Sequence, residues 1–572
     1  MEVYKRKRNR PTASALRAHT QQIQGETGGS NDDNNPQMED VVAHENIETP
    51  PLQADASHST DVPEETSFLY GPRILDVIPN FSHHIACRIS KGNERESIRM
   101  HSHGSKLLEW KIPVTATRFR ALIDRSGLSV LASCTFAHCD RWLKSALLER
   151  WYLDTNTLHF RFGEMTVTLD DVSSLLHIPI EGHAVVAHRL TTTTTIALLS
   201  DALGGSIDEA VSTLEGGTGH TVKLEWLRVQ FSGVDDSCSQ EQIVSCARAY
   251  LLYLLGCTLF VGKSGTRVHA HYLHMFMDID SVRDYAWGAA ALCHLYLQLG
   301  DATKDDTRQV AGYLTLLEAW AYEHFPRVRP IRCPSIVRYY EDSPRASRWI
   351  DRDIPGGGVD LGRATRLIFD TMSSQEVVWE PYRDARHFHP FHDISFFTGC
   401  IPFINVVEPY GPERVLHQFG RVQIIPPIPL SHNSRRESIR RGKRKADVIH
   451  VQTWDRWRSH LLDDTLRSVP VGMDGIDCID GFMEWYVPRT HLYVHPVQFP
   501  DAVPLPQPRP WGVANIQAYD RLQQAAQEVY DIGHDVVGRG SGYYMDSGVN
   551  DLVDQFERIT RILNDTGLLH LV

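Results

Sequence analysis

The amino-acid sequence predicts a mainly α protein, a single large helical domain with a small β-hairpin, a disordered N-terminus and a short helical C-terminal tail. Three observations support this prediction. Apolar residues recur three and four positions apart over much of the chain, which is typical of amphipathic helices. One short stretch alternates every two residues, as strands do. The N-terminal region is polar and nearly free of aromatic side chains, so it cannot offset the entropy of ordering.

The chain is divided accordingly into three parts. The predicted parts are a disordered tail at 1–65, a helical domain at 66–490 with a flexible basic loop at 430–447, and a linker with a helical tail at 491–572. The linker is predicted from the proline-rich run 500–510, which favours an extended chain. Two amphipathic segments, Ile516–Val529 and Val549–Leu563, predict the helical tail.

Composition excludes several classes of protein. Hydrophobic residues make up 42% of the chain and charged residues 23%, which is ordinary globular usage. The net charge of −13 argues against a protein that coats nucleic acid by bulk electrostatics. Ten cysteines without a repeated CxxC motif indicate buried thiols in a reducing compartment. We expect neither a signal peptide nor a membrane span, because no apolar run approaches the required length.

Five segments carry the helical spacing of apolar residues. The last of them has its apolar stripe ended by Pro326. The predicted helices are Ala116–Ile123, Arg141–Trp151, Gln242–Leu255, Tyr285–Leu299 and Val310–Phe325.

The β-hairpin is predicted from Leu158–Leu169, which alternates around a turn at Gly163–Glu164. Thr168 then opens a helix as its N-cap residue, with Asp171 three positions later closing a capping box. The threonine tract Thr191–Thr195 is predicted to be a surface loop because of its biased polar composition.

Several of these residues match a known family pattern. The run Leu147–Trp151 (LLERW) is followed by residues 157–172 (TLHFRFGEMTVTLDDV) and 175–182 (LLHIPIEG). Family members carry "L-ERW", "PFGEMT" and "LLGLPI-G" in this order, and His177 replaces the usual glycine. The series resembles the signature of the plant mobile domain, also called aminotransferase-like, of the maintenance-of-meristems family.

Further matches extend the resemblance over roughly residues 70–490. These are 262–269, 285–292, 316–326, 377–382 and 414–420. The resemblance implies a transposon-associated domain whose domesticated members act in meristem maintenance, genome stability and silencing of transposable elements. Some relatives fuse it to a serine/threonine phosphatase, but the phosphatase motifs GDxHG, GDxxDR and GNHE are absent from this sequence. The aminotransferase-like label implies pyridoxal phosphate, yet no residue pattern supports a Schiff-base lysine, so no cofactor is predicted.

A possible phosphate loop at Gly256–Ser264 is interpreted as a helix ending in a turn. A phosphate loop needs four residues between its glycines, whereas five bulky apolar residues lie between Gly256 and Gly262. Two histidine clusters could hold a metal through i, i+2 or i, i+3 spacing. Neither has cysteine partners, and 29 histidines make chance clustering expected, so no metal site is predicted. The clusters are His269, His271 and His274, and His387, His389 and His392.

Glu164 and the pair Asp170 and Asp171 are candidate acid–base groups, but a hairpin turn and a helix cap explain them without catalysis. No catalytic residue is therefore predicted. Cys134 and Cys139 are expected to be core thiols. Core packing is also expected for the tryptophans Trp151, Trp287, Trp320 and Trp379.

Two basic clusters are candidate nuclear import signals. One lies on the N-terminal tail, and the other places seven positive charges between Arg435 and Lys445. Short exposed basic runs fit an import receptor or a nucleic-acid backbone, and the alternative is a solvated surface tract. The predicted import residues are Lys5, Arg6, Lys7, Arg8, Arg440, Arg441, Lys443, Arg444 and Lys445.

From the resemblance we expect a non-catalytic nuclear scaffold or adaptor that binds nuclear proteins, with a phosphatase of the fused type as a candidate partner. Direct nucleic-acid contact is left open, and no membrane contact is expected. The alternative is a transposon-encoded DNA-handling factor or enzyme, such as a transposase with three carboxylates on two metals. A decaying element copy without a host role is a third possibility. A catalytic site should gather carboxylates in one cleft with shifted pKa values, whereas an adaptor should expose an apolar patch.

Overall fold

The computed structural model describes residues 71–495, apart from short internal gaps. The gaps are 96–97, 187–189, 216, 218, 264, 305, 331–338, 351, 353, 355–358, 428–447 and 473–476. The predicted N-terminal tail, the basic loop, the proline-rich linker and the C-terminal helices lie outside the described residues.

Most regular structure in the described part of the chain is helical, which confirms the mainly α prediction. The helices in chain order are α1 Ile85–Ser90, α2 Gly104–Leu107, α3 Thr117–Arg125, α4 Leu131–Cys134, α5 Arg141–Leu148, α6 Leu169–Leu176, α7 Thr192–Leu203, α8 Ile207–Leu214, α9 Leu224–Phe231, α10 Gln240–Cys257, α11 Leu273–Phe276, α12 Trp287–Ala302, α13 Leu314–His324, α14 Val359–Thr371, α15 Val448–Asp455, α16 Asp464–Arg467 and α17 Phe482–Tyr486.

The strands form small sheets. They are β1 Arg99–Met100, β2 Trp151–Tyr152, β3 Thr157–Phe160, β4 Gly163–Met165, β5 Thr221–Lys223, β6 Arg267–His269, β7 Gln309–Val310, β8 Gly399–Phe403 and β9 Val406–Tyr410. Strands β2, β3 and β4 make an antiparallel sheet in that order. Strands β8 and β9 form a second hairpin, β5 pairs antiparallel with β6, and β1 pairs parallel with β7.

The predicted hairpin exists, but its turn lies earlier than predicted. Phe160 pairs with Gly163, so the two-residue connection is Arg161–Phe162 and Glu164 lies within β4. The predicted turn at Gly163–Glu164 is therefore wrong by two residues. Trp151 belongs to strand β2, not to the helix before it, which ends at Leu148. Strand β2, which contains Trp151, pairs antiparallel with β3 and adds a third strand to the hairpin.

The threonine tract is a helix start instead of a loop. Thr191 is the N-cap residue of α7, and its hydroxyl accepts a hydrogen bond from the Thr194 amide at 3.2 Å. The Thr194 hydroxyl in turn accepts from the Thr191 amide at 2.8 Å, which completes a capping box. Buried Leu198 and Leu199 then anchor the helix. Threonine is common in loops but is also favoured at helix N-termini, so the threonine tract did not indicate a loop specifically.

A large apolar core joins these elements. Helix α12 packs against α6 and β8, α10 packs against α9 and α3, and α14 packs against α5. Trp151, Trp287 and Trp320 are fully buried, as predicted, while Trp379 is only partly buried. Helix α6 begins with the predicted capping box between Thr168 and Asp171. This arrangement brings α5, α6, α13, α14 and the three-stranded sheet together, and the motif residues lie among them.

Candidate functional site

The motif pair Glu149–Arg150 binds two residues of helix α14. Arg366 donates from Nε to Glu149 at 2.8 Å, and Arg150 forms an ion pair with Asp370. Arg150 is fully buried and also donates to the carbonyl of His159 in β3 at 3.2 Å. Arg366 and Asp370 are one helical turn apart, so α14 supplies the cation of one pair and the anion of the other. The two ion pairs together hold α14 against the end of α5 and the sheet.

Asp370 has a second role. Its carboxylate accepts hydrogen bonds from the backbone amides of Val494 at 3.0 Å and His495 at 2.8 Å. A buried charge needs full hydrogen bonding to offset the cost of removing it from water. Groups from three distant parts of the chain meet at the Asp370 carboxylate, while Nε of Arg150 has no hydrogen-bond partner among the described residues.

Glu164 of the family motif is bound by Arg414. Arg414 donates from Nε to Glu164 at 2.7 Å and from Nη2 to its other oxygen at 2.5 Å, and both side chains are buried. The Thr157 hydroxyl donates to the same carboxylate at 2.7 Å. Burial alone would raise the pKa of Glu164, but Arg414 and His159 hold that pKa below its usual value. Glu164 is therefore an internal anion with its acceptors occupied.

The two adjacent aspartates are also held internally. Asp171 closes the α6 capping box and accepts from the Tyr382 hydroxyl at 2.9 Å. Its carboxylate also lies 3.0 Å from His324 Nε2. Asp170 binds Arg386 through two contacts of 2.6 and 2.8 Å. The candidate acid–base carboxylates thus bind cations, hydroxyls and backbone groups of this chain.

Helix α13 adds two further buried carboxylates. Glu318 forms ion pairs with Lys144 and Arg352, and burial leaves it fully enclosed. Glu323 accepts from Arg345 at 2.9 Å and from the Trp349 indole at 2.7 Å. These pairs join α13 to α5 and to the segment after residue 344. The charged residues of the motifs are mostly parts of the interior.

The histidine cluster at 387–392 is divided by the fold. His389 is buried, and its Nδ1 lies 2.8 Å from Nε2 of His177. His177 ends α6 with φ of +52°, the left-handed conformation that favours glycine. His392 lies 3.4 Å from Glu181, and His387 is exposed. Within the described ranges, no group of three or more His, Cys, Asp or Glu side chains could hold a metal ion.

The other sequence candidates have packing roles. Gly256 lies within α10, where a Cβ atom would lie 2.6 Å from Leu224 and 2.8 Å from Val268. Close packing therefore explains this glycine, in agreement with the helical interpretation of Gly256–Ser264, of which Ser264 lies outside the described residues. Cys134 is buried, and burial raises the pKa of its thiol to about 12. Cys139 is only partly buried.

Buried neutral histidines surround the start of the three-stranded sheet. His84 Nε2 donates to the Trp151 carbonyl at 2.8 Å, and His84 Nδ1 accepts from the Ala86 amide at 3.1 Å. Since a carbonyl can only accept, Nε2 carries the proton. Burial lowers the pKa of His84 to about 3 and that of His159 to about 4.

A cleft of about 260 Å³ opens beside this sheet. We call it the acidic cleft, because Asp154 and Glu413 contribute carboxylates to it. Tyr410, Arg414 and Leu466 also line it. Burial raises the pKa of Glu413, whereas the charge of Arg414 is already matched by Glu164.

This cleft and the cationic partners of the motif carboxylates could not be predicted from the sequence. Arg414 lies 250 residues from Glu164, so no local pattern could pair them. The only available signal was the placement of charged residues inside apolar runs, as in Leu147–Trp151. The predicted import residues Lys5–Arg8 and Arg440–Lys445 lie outside the described residues.

Comparison with known proteins agrees with this architecture. A sequence model described as plant mobile domain matches residues 127–487. The chain is 33% identical to Protein MAIN-LIKE 2 of Arabidopsis thaliana over 438 residues, covering 74% of this chain and 62% of that protein. It is 31% identical to MAIN-LIKE 1 of the same plant, covering 74% and 80%. No solved structure matches.

Two further relatives from Arabidopsis thaliana extend this comparison. Protein MAINTENANCE OF MERISTEMS is 29% identical, with 71% of this chain and 82% of that protein covered. A serine/threonine-protein phosphatase 7 long form homolog is 31% identical over 65% of this chain, but only 28% of that protein is covered. The chain thus spans less than two thirds of MAIN-LIKE 2 and a smaller share of the phosphatase homolog.

The described part of the chain is a mainly α fold with paired charges in its interior. The chain belongs to the plant mobile domain family, and the names of its relatives connect that family with meristem maintenance. Throughout the described residues, no helix is both long and apolar enough to cross a membrane.

The first prediction concerns the Glu164–Arg414 pair. Arg414→Met leaves a buried carboxylate unpaired and should lower the free energy of unfolding by about 3–5 kcal/mol, measured by urea denaturation. The double variant Glu164→Met, Arg414→Met should recover part of this loss. As a control, Arg327→Met breaks a half-exposed pair with Glu376 and should cost below about 1 kcal/mol. Equal costs for the two single variants would contradict a structural role for Arg414.

The second prediction concerns pH. Well above pH 6.5, His84 and His159 are neutral in both the folded and the unfolded protein. As pH falls from 6.5 towards 4, the unfolded chain binds protons that the folded protein excludes, so the free energy of unfolding falls. Each histidine contributes up to about 1.4 kcal/mol per pH unit.

The variant His84→Asn tests this contribution. It should make the fall in unfolding free energy between pH 6.5 and 4 shallower than in the wild type. Exposed His138→Asn serves as the control and should leave the slope unchanged. A His84→Asn slope equal to that of the wild type would contradict the assignment.

Proposed function

We propose that this chain is a non-catalytic nuclear adaptor acting in meristem maintenance, transposable-element silencing and genome stability. One observation supports the proposal that the chain is not catalytic. The candidate acid–base residues Glu164, Asp170 and Asp171 are buried and bound by partners within the chain. A general acid or base must instead reach a substrate proton within hydrogen-bonding distance.

The relatives support the biological part of the proposal. Two of them are named MAIN-LIKE and one MAINTENANCE OF MERISTEMS. A phosphatase homolog shares the same region, so a phosphatase of that type acting as a separate chain is a natural partner. Exposed apolar side chains occur at several places on the described surface, among them Ile207, Val229 and Val469. Such side chains suit binding to other proteins.

Affinity purification from plant nuclei, with and without nuclease treatment, tests the adaptor proposal. Recovery of the same protein partners after nuclease digestion, a phosphatase among them, is the expected result. Loss of every partner on digestion would contradict it and favour direct nucleic-acid binding. The latter outcome would support the alternative of a transposon-encoded DNA-handling factor, which stays a prediction.

Nuclear import is proposed to depend on the two basic clusters. Changing Lys5, Arg6, Lys7 and Arg8 together with Lys443, Arg444 and Lys445 to alanine removes the charges that an import receptor would bind. A fluorescently tagged variant should then stay in the cytosol. The matched control changes the exposed residues Arg383 and Arg458 to alanine and should leave import intact. Unchanged nuclear accumulation of the first variant would overturn the import assignment.

A further inference from the structure

An apolar surface lies along two neighbouring segments of the described domain. Residues 108–117 run beside the stretch from α9 to Asp236. At one end Arg228 Nε lies 3.6 Å from a carboxylate oxygen of Glu109. At the other end the Thr117 amide donates to Asp236 at 3.1 Å. We call the surface between these two contacts the apolar seam.

Five apolar side chains of the seam are exposed or only partly buried. Leu108 is 62% exposed, Val114 84% and Val229 61%. Val114 has the highest exposed fraction of any large apolar side chain among the described residues. Trp226 and Phe231 are partly buried, and the centroids of their rings lie 5.4 Å apart. Exposed apolar surface of this kind marks a place where another element packs.

Helix α9 carries apolar side chains on two opposite sides. Leu224 and Leu227 are buried on its inner side, where α9 packs against α10. Trp226 and Val229 lie on the other side, because residues two and five positions after Leu224 point away from it on a helix. A helix that is apolar around its circumference is typical of a buried position. The outer side of α9 is therefore suited to contact with a further apolar element.

The C-terminal part of the sequence, outside the described residues, contains such an element. Its apolar residues follow one another at spacings of three and four, which predicts one apolar face on a helix. They are Val549, Leu552, Phe556, Ile559 and Leu563. A helix of this length is only marginally stable alone in water, so it needs an apolar surface to pack against. An extended chain advances roughly 3.3 Å per residue, so residues 496–548 are long enough to bring this segment to any face of the domain.

We propose that the tail segment Val549–Leu563 docks on the apolar seam of the same chain, with its apolar face against Leu108, Val114 and Val229. The contact removes apolar surface of both elements from water, which is the driving force for it. Because the tail segment and the seam belong to one molecule, their effective concentration favours this contact over the same contact between two copies. The inference goes beyond the adaptor proposal and does not depend on it. A partner protein that used the seam would have to displace the tail segment.

Hydrogen–deuterium exchange of the full chain, read by mass spectrometry, tests the contact from both sides. The double variant Leu552→Asp, Phe556→Asp interrupts the apolar face of the tail segment. It should speed amide exchange in α9 about tenfold, because a docked element slows local opening of the helix beneath it. Val229→Asp should in turn speed exchange in the tail segment by a similar factor. Unchanged exchange in both variants, or a tail segment that exchanges freely in the wild type, would overturn the proposal.

A matched control assigns the effect to the seam. Ile207 is 63% exposed, close to the 61% of Val229, and it lies on α8 outside the seam. Ile207→Asp should therefore leave exchange in the tail segment as it is in the wild type. Equal acceleration by Ile207→Asp and Val229→Asp would contradict the assignment. Exchange in the buried helix α12 should stay unchanged in every variant, and the milder Val229→Ser repeats the test if Val229→Asp alters α12.

Dilution distinguishes the tail segment from other occupants of the seam. Protection of α9 should be independent of protein concentration, because the two elements belong to one molecule. Protection that falls as a dimer dissociates, followed by light scattering, would assign the seam to a second copy and overturn the proposal. If the tail segment stays protected in Val229→Asp, it packs elsewhere, for example on residues 516–529, and the proposal falls as well. The adaptor proposal fails separately, when nuclei yield no protein partner.

Discussion

The buried ion pair between Arg150 and Asp370 is the constraint on which the rest of the structure depends. It joins the start of the three-stranded sheet to helix α14, and Asp370 also binds the backbone at Val494 and His495. A charge that is fully buried must be matched closely, because an unpaired one costs several kcal/mol. The position of α14 is therefore tied to the sheet more tightly than apolar contact alone would require.

The need to pair buried charges also explains the charged residues of the family motifs. Glu149, Glu164, Asp170 and Asp171 each bind a group that is distant in sequence. These residues help to determine which helices and strands meet. Arg414 and Glu413 both line the acidic cleft, and Arg414 binds Glu164 of the interior. His177, which replaces the glycine of the family motif, has a left-handed backbone, and its Nε2 lies 2.8 Å from Nδ1 of His389.

Local features of the fold could be predicted from the sequence. The capping box at Thr168 and the period-two hairpin depend on residues a few positions apart, and apolar spacing located the longest helices. The position of the hairpin turn was wrong because alternation gives the register of a strand more clearly than its end. The Thr191 helix was missed because threonines that cap a helix look the same in composition as threonines in a loop.

The candidate site could not be predicted in the same way. Asp154 and Glu413 meet only through tertiary packing, and neither lies in a recognisable pattern with the other. The partners of the motif carboxylates were equally hidden, because an ion pair between residues 250 positions apart leaves no periodic signal. The resemblance identified the motifs, and the structure explains what their charges do.

The most direct test of this account compares stability with partner binding for Arg150→Met, Asp370→Asn and the double variant. Free energies of unfolding are measured by urea denaturation, and partners are recovered on the folded proteins at equal amounts. We expect losses of about 3–5 kcal/mol for the single variants, partial recovery in the double variant, and normal partner recovery by the folded fraction. Unchanged stability combined with loss of partners would contradict it, because the pair would then serve binding and not architecture.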